Sequence, residues 1–152
     1  MMSQPSVVQL VTAIRNQLTT VIEPALEDEG RRKVLGMIDH LLQTIQVRAE
    51  HEIEWMIGHT NNVVALAERA VRDGYAAPAV AEALRRYQAG RRQTLKTSDV
   101  TADYGLAAEV LSAILESTVS DDHPVAAEAR ALLQSDIQHG VDVVGKFVLV
   151  PP

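Results

Sequence analysis

Cysteine is absent from this chain of 152 residues, which excludes thiolate zinc sites, iron–sulfur clusters, a cysteine nucleophile and any disulfide staple. The same absence fits a reducing cytosol at least as well as a secreted setting. Aromatic residues make up 3% of the chain, too few for stacking platforms or a rich cofactor cage. No run approaches the ~20 consecutive apolar residues of a membrane span. Met1-Met2-Ser3-Gln4-Pro5 lacks the basic head and apolar stretch of a secretory signal. A soluble, cytoplasmic protein with no membrane contact is the expectation. The glycines stand singly, and no Gly-x-Ser-x-Gly elbow, Gly-x-Gly-x-x-Gly turn, Gly-x-x-x-x-Gly-Lys loop or His-Glu-x-x-His occurs. No nucleophile with an adjacent base can be named, so an enzymatic role has no residues to rest on.

What is present favours helix. Hydrophobic residues make up 47% and charged residues 22% of the chain, ordinary for one globular domain spanning residues 1–152. Twenty alanines spread among Leu, Glu, Arg and Gln are helix formers, and β-branched alternation is scarce. Pro5 and Ser6 predict a helix start, and Val7, Val11, Ile14, Leu18 and Val21 set its apolar stripe to about Ile22. Pro24 should end or kink it. A second helix is predicted over Arg31–Ile57, striped by Val34, Ile38, Leu41, Ile45, Ala49, Ile53 and Met56. A break at Gly58, with a new cap at Thr60-Asn61-Asn62, is favoured over one long bent helix, although Val63, Ala67 and Ala70 extend the same stripe.

Gly74 should stop that element and Pro78 should open a helix to about Ala89, with Val80, Leu84 and Tyr87 apolar. Thr97-Ser98-Asp99 offers caps for a helix over Asp99–Val119, striped by Val100, Ala107, Leu111, Ile114 and Thr118. Asp121-Asp122-His123-Pro124 marks a further turn, before a helix from Val125 to about His139 or onward to Val144. The tail Lys146–Pro152 is apolar, either an extended arm or a partner-binding strand. Five or six amphipathic helices bury their stripes on one another, which predicts an all-α helical bundle.

Metal chemistry finds little support. A carboxylate-bridged metal pair in a four-helix core needs Glu-x-x-His on two helices. Of the five His, only His139 has a carboxylate three residues earlier, Asp136, and it stands alone. His40, His51 and Glu54 share a helix face, but eleven residues separate the two His, about 16 Å of helix. They read as a solvated outer face, and no metal or cofactor is expected.

Glu52, Met56 and His59 fall on the apolar side of the second helix, with Trp55 at the flank. An ionisable group facing a core needs a partner or a task, so Glu52 and His59 are candidates for an acid–base pair in a ligand site. The simpler reading pairs Glu52 with Arg48 one turn back and lets His59 cap a helix end near Gly58.

Charge is uneven. The net charge is −6, which repels nucleic acid and disfavours a transcriptional regulator. Yet Arg85, Arg86, Arg91, Arg92 and Lys96 lie within twelve residues free of acid. The chain before them carries −4 and the chain from Asp99 onward carries −7. Arginine forks suit phosphates and carboxylates, so this segment could hold an anion such as a nucleotide or coenzyme A, with Tyr87 as a stacking face. The plainer reading is an exposed helix end and loop facing acidic helices of this chain or of a second copy.

The stretch Glu23-Pro24-Ala25-Leu26, followed by a long helix carrying Val47-Arg48-Ala49-Glu50 and Glu52, resembles a family of small bacterial helical proteins of unknown function. Members of that family are often encoded beside acyl-CoA dehydrogenases and aminoglycoside-phosphotransferase-like kinases. The resemblance covers about the first third of the chain. Asp121-Asp122-His123-Pro124 and the apolar tail do not follow the family pattern. It implies an accessory role near acyl-CoA metabolism and carries no catalytic residues. The leading expectation is a non-enzymatic helical protein acting by protein–protein interaction, as a homo-oligomer or the small subunit of a larger enzyme. The alternative is a site inside the bundle for acyl-CoA or another anionic ligand, or for acid–base chemistry, built from Glu52, Trp55, His59, Arg85, Arg86, Arg91 and Arg92.

Overall fold

Ser6 opens the first helix as its neighbours predict. Its hydroxyl accepts the Gln9 N–H at 3.2 Å, and the Gln9 side chain accepts the Ser6 N–H at 2.9 Å, a reciprocal cap. The computed structural model describes residues 4–117 and 124–144, and these contain no strand. Helix α1 (Val7–Gln17) runs into a π-helical turn (Leu18–Ile22) and then a single α turn, α2 (Glu23–Ala25). Pro24 therefore does not stop the helix at Ile22. A proline has no N–H to give the preceding turn and its ring crowds that turn's carbonyl. Here the turn widens, and the Glu23 N–H reaches back five residues to the Leu18 carbonyl. The Thr19 and Thr20 hydroxyls donate to the Asn16 carbonyl, Thr19 also to that of Arg15. The chain turns extended only at Leu26.

Asp28 caps the next helix by accepting the Arg31 N–H at 2.8 Å. Helix α3 (Glu29–Arg72) then continues for 44 residues. The predicted break near Gly58 is corrected: the helix passes through it. A lone glycine costs a helix about 1 kcal/mol, less than Val63, Leu66, Ala67 and Ala70 return by being fully buried beyond it. Thr60-Asn61-Asn62 accordingly sits inside the helix, not at a cap. The end comes at Gly74, with φ +78. There the Tyr75 N–H bonds the Ala70 carbonyl and the Gly74 N–H bonds that of Val71, a pattern that needs a residue comfortable at positive φ.

Helices α4 (Pro78–Gly90), α5 (Thr97–Ser117) and α6 (Pro124–Val144) follow. Helix α5 begins two residues before the predicted Asp99, and α6 takes the longer of the two predicted courses. The predicted turn residues Asp121, Asp122 and His123, the stripe residue Thr118 and the tail Lys146–Pro152 lie outside the described residues.

The chain divides into two compact units, residues 1–52 with 143–152 and residues 53–142. The second unit holds a conventional core. Val63 and Ala67 of α3, Val80 and Leu84 of α4, Val110 and Ile114 of α5, and Ala129 of α6 are buried together. The stripe predicted for α4 faces it, as do Ala107, Leu111 and Ile114 of the stripe predicted for α5. Arg69 and Glu128 pair across α3 and α6.

The first unit is different. Helix α1 and the first half of α3 form an antiparallel hairpin bridged by polar groups. Arg15 grips the Asp39 carboxylate through two nitrogens at 2.7 and 3.0 Å and approaches Gln46 at 3.4 Å, while Gln46 donates to Thr12 at 3.3 Å. Its buried apolar residues are Val11 and Leu35 alone, among those described.

Candidate functional site

Two features stand out, one in each unit. In the second unit, side chains from three helices meet around Trp55. Trp55 and His59 are one turn apart on α3, and their rings stack at 5.2 Å. His139 of α6 lies flat on the indole, with centroids 3.7 Å apart and planes 4° from parallel. Tyr104 of α5 tilts against both Trp55 and His59 at 5.8 and 5.6 Å. Its hydroxyl donates to the Asp136 carboxylate, one turn before His139. Rings of this kind gain about 0.5–1.5 kcal/mol per well-placed pair beyond the area they bury.

The electrostatics follow from that packing. Burial pushes the Tyr104 phenol well above its ordinary range, and the Asp136 carboxylate it serves reinforces the shift, since a phenolate there would face a like charge. His59 is 8% exposed. Its pKa is lowered by burial first. Asp136 pulls the other way, and His139 adds to the lowering. At neutral pH His59 is a neutral imidazole and Tyr104 a neutral phenol whose hydroxyl is held by Asp136. Such an arrangement can hold a proton in place between Tyr104 and Asp136, and it can respond to acid through His59.

Of the predicted site residues, Trp55 and His59 belong to this cluster. The reading of His59 as a helix cap is corrected, because no helix ends near Gly58. Glu52 is committed to Arg48, the simpler of its two predicted roles. Tyr104, Asp136 and His139 escaped the sequence reading, although Asp136 and His139 were already visible as the one carboxylate three residues before a His. No group of three or more His, Asp and Glu among the described residues is placed to hold a metal ion.

The arginine segment disperses. Arg85 pairs with Glu82 at 2.5 Å, Arg86 with Glu109 at 3.2 Å and Arg92 with Asp99 at 3.0 Å. Arg91 lies against the Gln93 amide. The loop between α4 and α5 is tied down by acids: Asp103 accepts the N–H groups of Arg92 and Gln93, and Asp99 accepts the Thr94 hydroxyl. Gln93 is thereby held at φ 55. Arg91 alone of the four arginines lines the cleft beside this loop, about 290 Å³ in volume, together with Thr60, Tyr87, Leu95 and Asp103. Local acids thus face Arg85, Arg86 and Arg92. His51 and Glu54, by contrast, are exposed as expected, whereas His40, predicted on the same solvated face, is half-buried.

The second feature is the hairpin of the first unit. Val7, Leu10 and Ile14 on α1, and Val34, Ile38, Leu41 and Ile45 on α3, repeat at steps of three and four residues. That is the period of a coiled-coil seam. All seven are exposed, from 42% at Ile38 to 59% at Leu41. On each helix this seam sits to one side of the residues that face the neighbouring helix. Val11 follows the α1 seam by about 40°, and Leu35 and Asp39 follow the α3 seam by about 60–100°, at 100° per residue. In an antiparallel pair, offsets of the same sense put both seams on the same side. The hairpin therefore has one oily face, and Val21 and Ile22 within the π turn are exposed as well.

No helix among the described residues is long and apolar enough to cross a membrane. Comparison with known proteins finds no protein family, no curated protein and no solved structure that matches this chain.

Proposed function

We propose that this chain works by association, as an oligomer or as a small subunit of a larger assembly, and that the N-terminal hairpin carries the docking face. The observation that supports the reading is a coiled-coil-spaced apolar seam left open on both helices, in a unit whose own buried residues are Val11 and Leu35. Monomeric surfaces scatter single apolar residues, whereas a contiguous patch marks a contact. At roughly 25 cal/mol per Å², covering seven half-exposed aliphatic side chains is worth several kcal/mol. The accessory role implied by the family resemblance, near acyl-CoA metabolism, is the setting in which we place such a subunit.

The alternative, a site inside the bundle for an anionic ligand or for acid–base chemistry, draws on the meeting of Trp55, His59, Tyr104, Asp136 and His139. It is the weaker reading. The rings occupy one another's faces, the Tyr104 hydroxyl is taken by Asp136, and three of the four arginines that should steer an anion, Arg85, Arg86 and Arg92, are paired with nearby acids.

Photo-crosslinking in living cells tests the association. A diazirine amino acid at Leu10 or Leu41 should give a covalent adduct with another polypeptide. The same group at Gly36, about 160° round α3 from Ile38, should not. Absence of any adduct from both seam positions would overturn the proposal.

A further inference from the structure

We infer that the occupant of the hairpin face is a second copy of this chain, docked about a twofold axis so that two hairpins close one four-helix bundle. This rests on the association reading and adds the identity of the partner. Four helices are the usual number that enclose a seam of this period, and one hairpin supplies two. A twofold applied to an antiparallel hairpin makes every neighbouring pair of helices antiparallel, the up-down arrangement that such bundles adopt.

Register supports the same conclusion. If the axis passes between Leu41 and Leu42 on α3, Ile38 meets Ile45 of the second copy, and Arg31 comes level with Glu52 of the second copy. At both ends of the seam Arg31 thus comes level with a carboxylate that Arg48 of that carboxylate's own copy also engages. Between Arg31 and Arg48, the acid and base nearest the seam are Asp39, which Arg15 of the same copy neutralises, and Lys33, which Glu29 of the same copy neutralises. Each of the two is thus balanced within its own copy. The hairpin's own hydrogen bonds place Arg15 level with the stretch between Asp39 and Gln46, so an axis passing between Leu41 and Leu42 crosses α1 near Asn16, about half a turn beyond Ile14. One axis serves both helices.

Area agrees. The seven seam residues and Val21 expose on the order of 700 Å² per copy, close to the roughly 800 Å² that each partner contributes to a standard interface. A seam without unpaired charge has no feature selecting a charged partner, while it complements itself.

Sedimentation of the full chain tests the inference. The expected species is about 33 kDa, twice the 16.6 kDa of one chain, at micromolar concentration. Ile14→Lys combined with Leu41→Lys should return it to 16.6 kDa, with amide protection at Val63 and Val110 unchanged. Because lysines could also unfold the hairpin, a second measurement uses the absence of native cysteine. Leu41→Cys should link into a covalent dimer with diamide, and Gly36→Cys should not. A chain that stays monomeric up to about 100 µM, or a dimer indifferent to both lysines, overturns the second copy as partner. A monomer whose seam still forms an adduct with a different protein in cells leaves association standing and removes only this inference.

Discussion

Trp55 and His139 lie face to face, 3.7 Å between centroids and 4° from parallel, so α3 and α6 are joined by a flat contact between two rings. Trp55 is the only tryptophan of the chain. Trp55→Ala should lower unfolding stability by about 2–4 kcal/mol, since it removes a large ring from contact with three others. Urea unfolding followed by circular dichroism measures it. A loss under about 0.5 kcal/mol, the scale of an ordinary surface change, would show that the stack contributes nothing.

His59 sets the response to acid. Its pKa is lowered below the ordinary 6.5 because burial disfavours the cation. The unfolded chain therefore binds this proton more readily than the folded one. Stability is full above pH 6.5 and falls as pH drops from there towards the lowered value. His59→Gln should flatten the fall of melting temperature between about pH 7 and 5. An unchanged slope would remove His59 from that role.

Tyr104 sets the response to base, with the opposite sense. Its phenol is raised above the ordinary 10.0, so the unfolded chain loses the proton first. Stability is full below pH 10 and declines above it. Tyr104→Phe should abolish that alkaline decline. At neutral pH it should cost about 1–3 kcal/mol, because the Asp136 carboxylate loses its donor. Melting curves from about pH 8 to 11 separate the two effects.

Asp39 links the helices of the hairpin through Arg15. Its carboxyl is held below the ordinary 3.8 by hydrogen bonding to the guanidinium, so this stabilisation is present above pH 3.8 and disappears as pH falls through the lowered value. A double-mutant cycle with Arg15→Gln and Asp39→Asn should return a coupling of about 1 kcal/mol, at the upper end for a partly exposed pair because two nitrogens engage one carboxylate. A coupling near zero would mean that apolar contact alone holds the hairpin.

Two glycines of α3 and its cap should respond with opposite signs. Gly58 is inside a helix and has open space where a Cβ would go. Gly58→Ala should therefore stabilise by about 0.5–1 kcal/mol. Gly74 holds φ +78, and Gly74→Ala should destabilise by about 1 kcal/mol or more. Thermal melts of both variants suffice. A destabilising alanine at Gly58 would restore the break that its neighbours suggest.

These residues also show what a sequence reading can reach. Val80, Leu84 and Tyr87, spaced by four and three, were readable as one buried face because the period alone decides it. Gly58 misled because its local cost is visible in the chain, while the burial of Val63 and Ala67 that outweighs it depends on α4 and α5. The stripe Val34, Ile38, Leu41 and Ile45 was readable as apolar, but periodicity cannot say what covers a stripe. In the single chain these four stay exposed. The ring cluster was half readable: Trp55 and His59 share one helix turn, whereas Tyr104 and His139 arrive from distant segments that only packing brings together.

Pro24 sits just past a coil wound looser than its flanks. An imino acid at that point makes the slack obligatory, since restoring the ordinary pitch would drive its ring into the carbonyl of Thr20. Replacing it with alanine supplies the missing donor, lets the winding tighten, and swivels Ala25 and Leu26 by a fraction of a revolution. The direction in which the chain leaves its first rod is thus fixed by a single five-membered ring.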